Sequence, residues 1–289
     1  MIRGGILPER DLLREVRRQR PLIHCITNYV TAGDVANVIL AAGASPVMAD
    51  GLREVEDITR LSRALVLNIG TLREPVVDSM LTAGKLAASL GHPVIFDPVG
   101  AGASVFRTET ALRILREVPC TAIRGNASEI RTLARCLKGD GESRIYSHGV
   151  DVDEREKVTE ENQESTVKML RFLSRKTGAV LLMTGERDFI ADRERVCQIK
   201  NGHEMMAGIT GTGCMMDGIL ASLMAVSPGK ERFFAAVYAA AAHGICGELA
   251  YRRVAETDGG TGSFRMHFID AYSRLEDGQI REGVRYEEI

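Results

Sequence analysis

The chain has 289 residues, and 45% of them are hydrophobic, a proportion typical of an ordinary globular core. Its formal net charge is -2 and it has no tryptophan, so neither charge nor aromatic content favours binding to nucleic acid or to an anionic membrane. No run of about 20 apolar residues predicts a membrane-spanning helix, and the polar first twenty residues are unlike a signal peptide.

Short apolar runs rich in Val and Ile alternate with helical patterns along the first two thirds of the chain. The runs predict buried strands at 45–49, 64–69, 93–96, 120–123 and 179–183. Helices are expected between them, near 28–42, 54–62, 73–90, 107–117 and 126–137. Buried strands that alternate with helices favour a mostly parallel central sheet with helices on both faces, so the predicted fold class is α/β.

The later part of the chain changes in character. Residues 138–163 are rich in charge, Gly and Ser, and they predict a surface loop that leads into a helix near 160–177. A hairpin or strand pair is expected at 189–199, and helices are expected at 213–226, 231–253 and 262–276. The charged loop could mark a domain boundary, but the strand pattern resumes after it, so we interpret residues 1–289 as a single domain.

The most informative segment is the glycine-rich turn at 210–218, which runs directly into an apolar helical pattern. Backbone at Gly211 and Gly213 can approach an anion closely, because glycine has no Cβ. The first N–H groups of the helix carry the positive end of its dipole and could hold a migrating phosphoryl group. Cys214 would lie at the helix start, where a thiol tends toward thiolate. The alternative is an ordinary loop-to-helix junction with a buried cysteine.

Glycine and polar residues also follow four predicted strands. These loops are 68–71, 97–102, 124–129 and 184–186. Ligands of an open parallel sheet bind at the carboxyl ends of its strands, so the four loops are expected to converge on one site.

Two of these loops carry candidate metal carboxylates, Asp97 and Glu129, of the kind that Mg²⁺ takes together with phosphate oxygens. Asp97 could instead form a turn before proline, and Glu129 could be a first-turn residue that suits the helix dipole. Arg124 could clamp a phosphate and Thr184 could bind a nucleotide phosphate, so the set favours phosphoryl transfer.

Several other patterns are excluded or given a structural interpretation. The chain has no G-x-x-x-x-G-K-[ST] sequence, and its glycine turns lack the full dinucleotide-binding pattern. His24 is interpreted as a buried structural residue rather than a ligand. None of the six cysteines forms a C-x-x-C pair, which argues against a zinc ribbon and agrees with a cytoplasmic protein.

These motifs together resemble the hydroxyethylthiazole kinase family, a member of the ribokinase-like group. The matching segments are 21–28 (PLIHCITN), 41–49 (AAGASPVMA), 64–71 (ALVLNIGT), 93–102 (PVIFDPVGAG), 123–129 (IRGNASE), 184–186 (TGE), 210–214 (TGTGC) and 260–270 (GTGSFRMHFID). The likeness covers nearly the whole chain apart from residues 138–147 and the last dozen.

The resemblance implies that ATP phosphorylates 4-methyl-5-(2-hydroxyethyl)thiazole on its hydroxyl, with Mg²⁺, in a homotrimer whose thiazole sites lie at the subunit interfaces. It assigns residues by position. Met48, Gly211 and Asn28 match thiazole-binding residues, and Arg124 and Thr184 match ATP-binding residues. Asn126, which begins the N-x-x-E motif, is also assigned to cofactor binding, and Asp97 and Glu129 match metal and phosphate carboxylates. Cys214 stands where most ribokinase-like enzymes have an Asp base. Without the resemblance, Met48 would be interpreted as core packing at a strand end.

Two other functions remain open at this point. The chain could be another ribokinase-like kinase, such as a hydroxymethylpyrimidine kinase, although Cys214 in place of Asp argues against it. It could also be a non-catalytic protein that binds thiazole or nucleotide. The presence of Asp97, Glu129 and the 211–213 turn argues against this, because a pure binder does not need metal carboxylates.

Overall fold

The computed structural model describes residue 7 and residues 10–139 and 158–289 of the chain. The first half contains α1 (Leu12–Gln19), β1 (Leu22–Ile26), α2 (Ala32–Ala42), β2 (Ser45–Met48), α3 (Val55–Leu61), β3 (Ala64–Asn68), α4 (Glu74–Ser89), β4 (Val94–Asp97), α5 (Val105–Glu117), β5 (Ala122–Asn126) and α6 (Ala127–Lys138). The second half contains α7 (Glu160–Thr177), β6 (Val180–Thr184), β7 (Asp188–Ala191), β8 (Val196–Ile199), α8 (Thr212–Ala225), α9 (Arg232–Glu256), α10 (Thr261–Arg274), α11 (Asp277–Gly283) and β9 (Tyr286–Glu288).

All of these strands belong to one nine-stranded sheet, with the order β2-β1-β3-β4-β5-β6-β7-β8-β9. The first six strands in that order are parallel, and the last three pairings are antiparallel. The carboxyl ends of β1, β3, β4, β5 and β6 therefore lie side by side along one edge. The predicted α/β class with a mostly parallel sheet is confirmed.

Side chains alternate between the two faces of the sheet, as the strand period of two requires. In β3, Ala64 and Val66 belong to one apolar core, whereas Leu65 and Leu67 belong to the other. The first core packs against α1, α2 and α8–α11, and the second packs against α3–α7. Helices thus cover both faces of the sheet, as predicted.

The predicted strands agree with β2–β6 to within a few residues, and the hairpin predicted at 189–199 is the antiparallel pair β7 and β8. Strand β1, which pairs with both β2 and β3, had no predicted counterpart, nor did α1, α11 and β9. Helix α7 begins near its predicted start, but most of the predicted charged loop, residues 140–157, lies outside the described residues.

His24 lies in the middle of β1 and is fully buried. Its Nδ1 lies 3.0 Å from Thr59 Oγ1, and its Nε2 lies 2.7 Å from the carbonyl oxygen of Ala49. Burial lowers the pKa of His24, so the ring stays neutral and links β1 to α3 and to the end of β2. The interpretation of His24 as a structural residue is confirmed.

One long apolar helix bears on the expectation that no helix spans a membrane. Residues 229–256 form a helical segment of 28 residues whose most apolar window has a mean hydropathy of 1.4, enough in length and composition to cross a membrane. It is the one such segment in the described part of the chain, and 83% of that window is buried inside the protein. The consecutive alanines of α9 are fully buried, which is the packing of a core helix.

Candidate active site

The candidate site lies where the carboxyl ends of the parallel strands meet the first turn of α8. Asp97 is the last residue of β4 and is fully buried. Its Oδ2 accepts hydrogen bonds from Asn68 Nδ2 at 2.7 Å and from the guanidinium of Arg124 at 3.1 Å. Its Oδ1 is buried and has no hydrogen-bond partner among the described residues. One oxygen of Asp97 is therefore held by the protein while the other is free to bind a ligand.

Arg124 connects two of the predicted loops. Its Nη1 donates to Asp97 Oδ2 and its Nη2 donates to Thr184 Oγ1 at 3.0 Å. Burial lowers the pKa of Arg124, but the negative charges of Asp97 and Asp217 outweigh this effect and leave the pKa raised. The guanidinium is therefore permanently charged and fixed in orientation, as recognition of a phosphate group requires.

The glycine turn ends directly against this arginine. Gly211 precedes α8 in a left-handed conformation, with φ of +88°, and a Cβ there would lie 2.7 Å from Thr31 Cγ2. A Cβ on Gly213 would lie 1.9 Å from Arg124 Nη2. No side chain in the described part of the structure caps the start of α8. The N–H groups of its first turn are therefore available to an anion beside the Arg124 charge.

Cys214 lies in the first turn of α8 and is partly buried. Its Sγ accepts long hydrogen bonds, each 3.3 Å, from the side-chain amides of Asn28 and Asn68. Burial, and next the charge of Asp97, raise the pKa of the Cys214 thiol. The expectation of a thiolate at this helix terminus was therefore wrong, because desolvation and a nearby carboxylate outweigh the helix dipole.

Glu129 is held by backbone rather than by side chains. Its two carboxylate oxygens accept from the N–H of Gly100 at 2.8 Å and from the N–H of Asn126 at 2.7 Å. Asn126 Oδ1 in turn accepts from Glu129 N at 2.9 Å, which completes a capping box at the start of α6. Burial, and next the charge of Asp97, raise the pKa of Glu129 to about 7. The carboxyl joins the loops after β4 and β5, and its predicted metal role stays a prediction.

Two of the three predicted thiazole-binding residues, Asn28 and Gly211, lie close together, because the Thr31 side chain contacts both. Asn28 is buried, and its Oδ1 accepts from the backbone and hydroxyl of Thr31, so it links β1 to the Cys214 region. Met48 ends the edge strand β2 and is 38% exposed. Two strands separate β2 from β4, so Met48 lies about 14 Å from Asp97 across the sheet.

The sequence interpretation included Asn68 and Asp217 in the segments 68–71 and 210–218 but assigned neither a role. Asp217 lies one turn after Cys214 in α8 and is fully buried, and Arg124 is the cation whose charge acts on it. Its Oδ1 has no partner, and its Oδ2 is 3.5 Å from Asn68 Nδ2. Burial, and next the charge of Asp97, raise the pKa of Asp217 well above its usual range. The spacing of three from Cys214 was the available signal, because residues three apart share a helix face.

Asp188 is a second buried carboxyl that the interpretation missed, and it supports the Thr184 loop. Its Oδ1 accepts from Gly185 N at 3.0 Å and so holds the turn between β6 and β7. Burial raises the pKa of Asp188 from 3.8 to about 7. Between pH 3.8 and about pH 7, Asp188 keeps its proton in the folded protein but has released it in the unfolded chain. The stability that this proton confers is therefore lost as the pH rises through about 7.

We therefore expect the stability of Asp188→Asn relative to the wild type to increase from pH 5 to pH 8, by at least about 1 kcal/mol, because the wild type loses stability throughout this range. The amide is neutral like the protonated acid and keeps an oxygen for Gly185 N. Urea unfolding at the two pH values measures the difference, with the exposed Asp78→Asn as the control. An equal effect at both pH values would contradict a buried carboxyl that titrates near neutrality.

The donor set fits a hard cation. The buried and unpartnered Oδ1 of Asp97 is a ligand of the type that Mg²⁺ takes, and the first turn of α8 and Arg124 lie beside it for phosphate oxygens. The arrangement can therefore hold a metal-bound polyphosphate and stabilise negative charge on a group in transfer.

Comparison with known proteins gives a consistent picture over the whole chain. A sequence profile described as the hydroxyethylthiazole kinase family matches residues 13–278. A hydroxyethylthiazole kinase of Clostridium acetobutylicum is 45% identical over 278 residues, which are 96% of this chain and 98% of the relative. One from Desulfovibrio desulfuricans is 46% identical over 273 residues, 92% of this chain and 93% of the relative.

Solved structures agree with these relatives. The structure of a hydroxyethylthiazole kinase protein from Pyrococcus horikoshii is 33% identical, covers 96% of this chain and 97% of its own, and superposes with a TM-score of 0.79. A ribokinase-like superfamily protein from Enterococcus faecalis is only 13% identical, with a TM-score of 0.54 over 88% of each chain. The second likeness concerns the fold alone, and it identifies that fold as ribokinase-like.

Proposed function

Because this chain belongs to the hydroxyethylthiazole kinase family, we propose that it transfers the γ-phosphoryl group of ATP to the primary hydroxyl of 4-methyl-5-(2-hydroxyethyl)thiazole. The products are the thiazole phosphate and ADP, and the role is thiamin salvage by a single kinase domain in the cytoplasm. All six cysteines are free, which agrees with a reducing compartment. The observation that carries the proposal is Arg124, which bridges Asp97 and Thr184 directly against the glycine turn.

The first turn of α8 and Arg124 supply most of the electrostatic stabilisation of the phosphoryl group during its transfer. The N–H groups after Gly211 hold the oxygens of the phosphoryl group as it moves from ADP to the acceptor hydroxyl. Gly213 keeps this turn in contact with the guanidinium, since a larger residue would displace Arg124. Thr184 accepts a hydrogen bond from Arg124 and so fixes its second amino group toward the nucleotide side.

Asp97 is the carboxylate placed to hold Mg²⁺, with its unpartnered Oδ1 as the ligand atom. The ion, when bound, neutralises charge on the phosphate oxygens. Glu129 and Asn126 act next to it by fixing the loops after β4 and β5, since the carboxyl of Glu129 receives N–H groups from both. Asp97 therefore supplies the negative charge that binds the ion, and Glu129 holds the two loops in position.

Cys214 contributes contacts rather than proton acceptance under this proposal. Its thiol stays protonated at neutral pH because burial raises its pKa, and the α8 N–H groups remain when the side chain is removed. We expect Cys214→Ala to lower turnover by less than the roughly 10²–10⁴-fold that loss of a true general base causes. Steady-state turnover with saturating thiazole alcohol and ATP measures this, and a larger loss in a folded variant would assign the thiol an essential chemical role.

A coupled ADP-release assay tests the proposed reaction. We expect turnover with the thiazole alcohol and ATP, and at least about 100-fold lower kcat/KM with hydroxymethylpyrimidine, because the two acceptors differ in their polar groups. Turnover with the pyrimidine alone would assign the chain to another ribokinase-like activity. Thiazole binding by calorimetry without ADP release would identify a non-catalytic binding protein.

We also propose that three copies form a trimer in which the thiazole sites lie between subunits. Large exposed apolar side chains surround the loop after β1 and the end of β2; they are Tyr29 (77% exposed), Val30 (58%), Met48 (38%) and Leu52 (55%). Such side chains are buried at subunit contacts in oligomers. A neighbouring copy over this surface would also close the gap between Met48 and the phosphate end of the site.

Light scattering is expected to give three times the 31.5 kDa chain mass for the wild type. A charge at Leu52 (Leu52→Glu) should dissociate the trimer and raise KM for the thiazole alcohol, because a buried unpaired carboxylate opposes association. Leu90→Glu, also an exposed leucine, is the control and should leave both quantities unchanged. A fully active wild-type protein of 31.5 kDa would contradict shared sites.

A further inference from the structure

Three side chains that can ligate metals converge beneath the first turn of α8. Each of Asp97, Cys214 and Asp217 offers one ligand atom, and the three atoms all lie within 4.8 Å of one another. Both carboxyls are fully buried, and only the cysteine is partly accessible. The cluster shares Asp97 with the phosphate end of the site and adds Asp217 from the second turn of α8.

Each carboxyl has an oxygen that no group in the described chain satisfies. Oδ1 of Asp97 and Oδ1 of Asp217 are both buried without a hydrogen-bond partner. Buried polar atoms are almost always paired, so the two oxygens require either a proton shared between the carboxyls, which lie within hydrogen-bonding reach of each other, or a bound cation. The single guanidinium nearby, that of Arg124, is already bonded to Oδ2 of Asp97 and to Thr184.

The charge balance leads to the same conclusion. If both carboxyls are ionised, one arginine compensates only one of the two charges. Burying the second charge unpaired is strongly unfavourable, so it requires either a proton or a cation.

We propose that Asp97, Cys214 and Asp217 form a binding site for one divalent cation of borderline softness, such as Zn²⁺, which occupies it without nucleotide. A thiolate with two carboxylate oxygens suits Zn²⁺ or Co²⁺ better than Mg²⁺, which takes oxygen ligands only. Zn²⁺ reaches oxygen at about 2.0–2.2 Å and sulfur at about 2.3 Å, so the three atoms need to approach one another by about 1 Å. Small side-chain movements of all three residues would supply this approach, and a fourth position would stay open to water.

Binding exchanges protons for the cation. The metal–sulfur bond forms as the Cys214 S–H bond breaks, and the proton leaves to solvent. The carboxyl of Asp217 likewise releases its proton when its oxygen coordinates the ion. No electron transfer is involved.

Titration of the nucleotide-free protein with Co²⁺ under anaerobic conditions tests the site. We expect one Co²⁺ per chain, with a sulfur-to-cobalt charge-transfer band in the near ultraviolet that Zn²⁺ abolishes by displacement. Cys214→Ser should lose the band. Asp217→Asn should keep a weaker band and bind Co²⁺ at least about tenfold less tightly, since even an outer-shell partner is worth about 10–100-fold in affinity.

Cys136→Ser is the matched control, because this cysteine is also partly buried but lies on α6, away from the cluster. It should bind Co²⁺ as the wild type does. A wild-type protein without the band, a band that survives in Cys214→Ser, or unchanged affinity in a folded Asp217→Asn would each overturn the proposal. These outcomes do not depend on ATP or thiazole, so they are independent of the proposed kinase activity.

Discussion

Gly213→Ala is expected to lower kcat/KM for the thiazole alcohol by about 10²–10³-fold while the protein stays folded. A Cβ at this position would lie 1.9 Å from Nη2 of Arg124 and 2.4 Å from its Cζ. The guanidinium is the end of a flexible side chain, so it would move rather than break the helix. In moving it would lose its hydrogen bonds to Asp97 and Thr184. Steady-state kinetics and a thermal unfolding curve measure the two quantities.

Gly262→Ala provides the matched control for this change. Gly262 is also a glycine in the first turn of a helix, α10, and a Cβ there would meet nothing within 4 Å. It should leave both activity and unfolding temperature near those of the wild type. If Gly213→Ala retains wild-type kcat/KM, the contact between the glycine turn and Arg124 has no part in catalysis. The proposed role of this contact in stabilising the phosphoryl group would then be wrong.

Asp97→Asn is expected to lower kcat by about 10²–10³-fold, with a higher Mg²⁺ requirement. The amide oxygen of the variant can still accept the two hydrogen bonds that Asp97 Oδ2 accepts from Asn68 and Arg124. It loses the negative charge and the anionic Oδ1. The effect on stability should be small. Arg124 loses a charged partner, but the repulsion that raises the pKa values of Glu129 and Asp217 is also relieved.

Asp78→Asn is the control for loss of a carboxylate, since Asp78 is 62% exposed and makes only a 3.8 Å ion pair with Arg113. Its kcat and Mg²⁺ dependence should not change. Activity of Asp97→Asn near the wild-type level at saturating Mg²⁺ would remove Asp97 from the metal site. The Glu129 carboxylate, which the sequence also nominated, would then be the remaining candidate.

The contrast between Asp97 and Glu129 shows how far residue type alone can be taken. Both are acidic residues next to strand ends, and the sequence assigned them the same role. The structure gives Glu129 two backbone N–H donors and leaves one oxygen of Asp97 without any. Whether a carboxylate oxygen receives a hydrogen bond depends on how close the neighbouring loops lie to it. The residues adjacent to the carboxylate in the sequence do not predict this.

For Cys214, the sequence predicted the local structure but not the direction of its pKa shift. Its position after two glycines correctly predicted a helix terminus, and α8 begins at Thr212. The sign of its pKa shift depends on burial and on Asp97, which is 117 positions earlier in the chain. Asp217 was missed because a single Asp in an apolar helix has no signal of its own until the strand ends are brought beside it.

The sequence by itself determined the alternation of strands and helices, because apolar periodicity reflects which side of each element is buried. It also determined the glycine turn, the polar loops at the strand ends and the kinase family, because these depend on residues close together in the chain. Tertiary structure alone decided the position of β1 between β2 and β3, the pairing of Arg124 with Asp97 and Thr184, and the cluster of Asp97, Cys214 and Asp217. These features arise from contacts between distant segments, where burial and charge are set jointly by several elements rather than by any one of them.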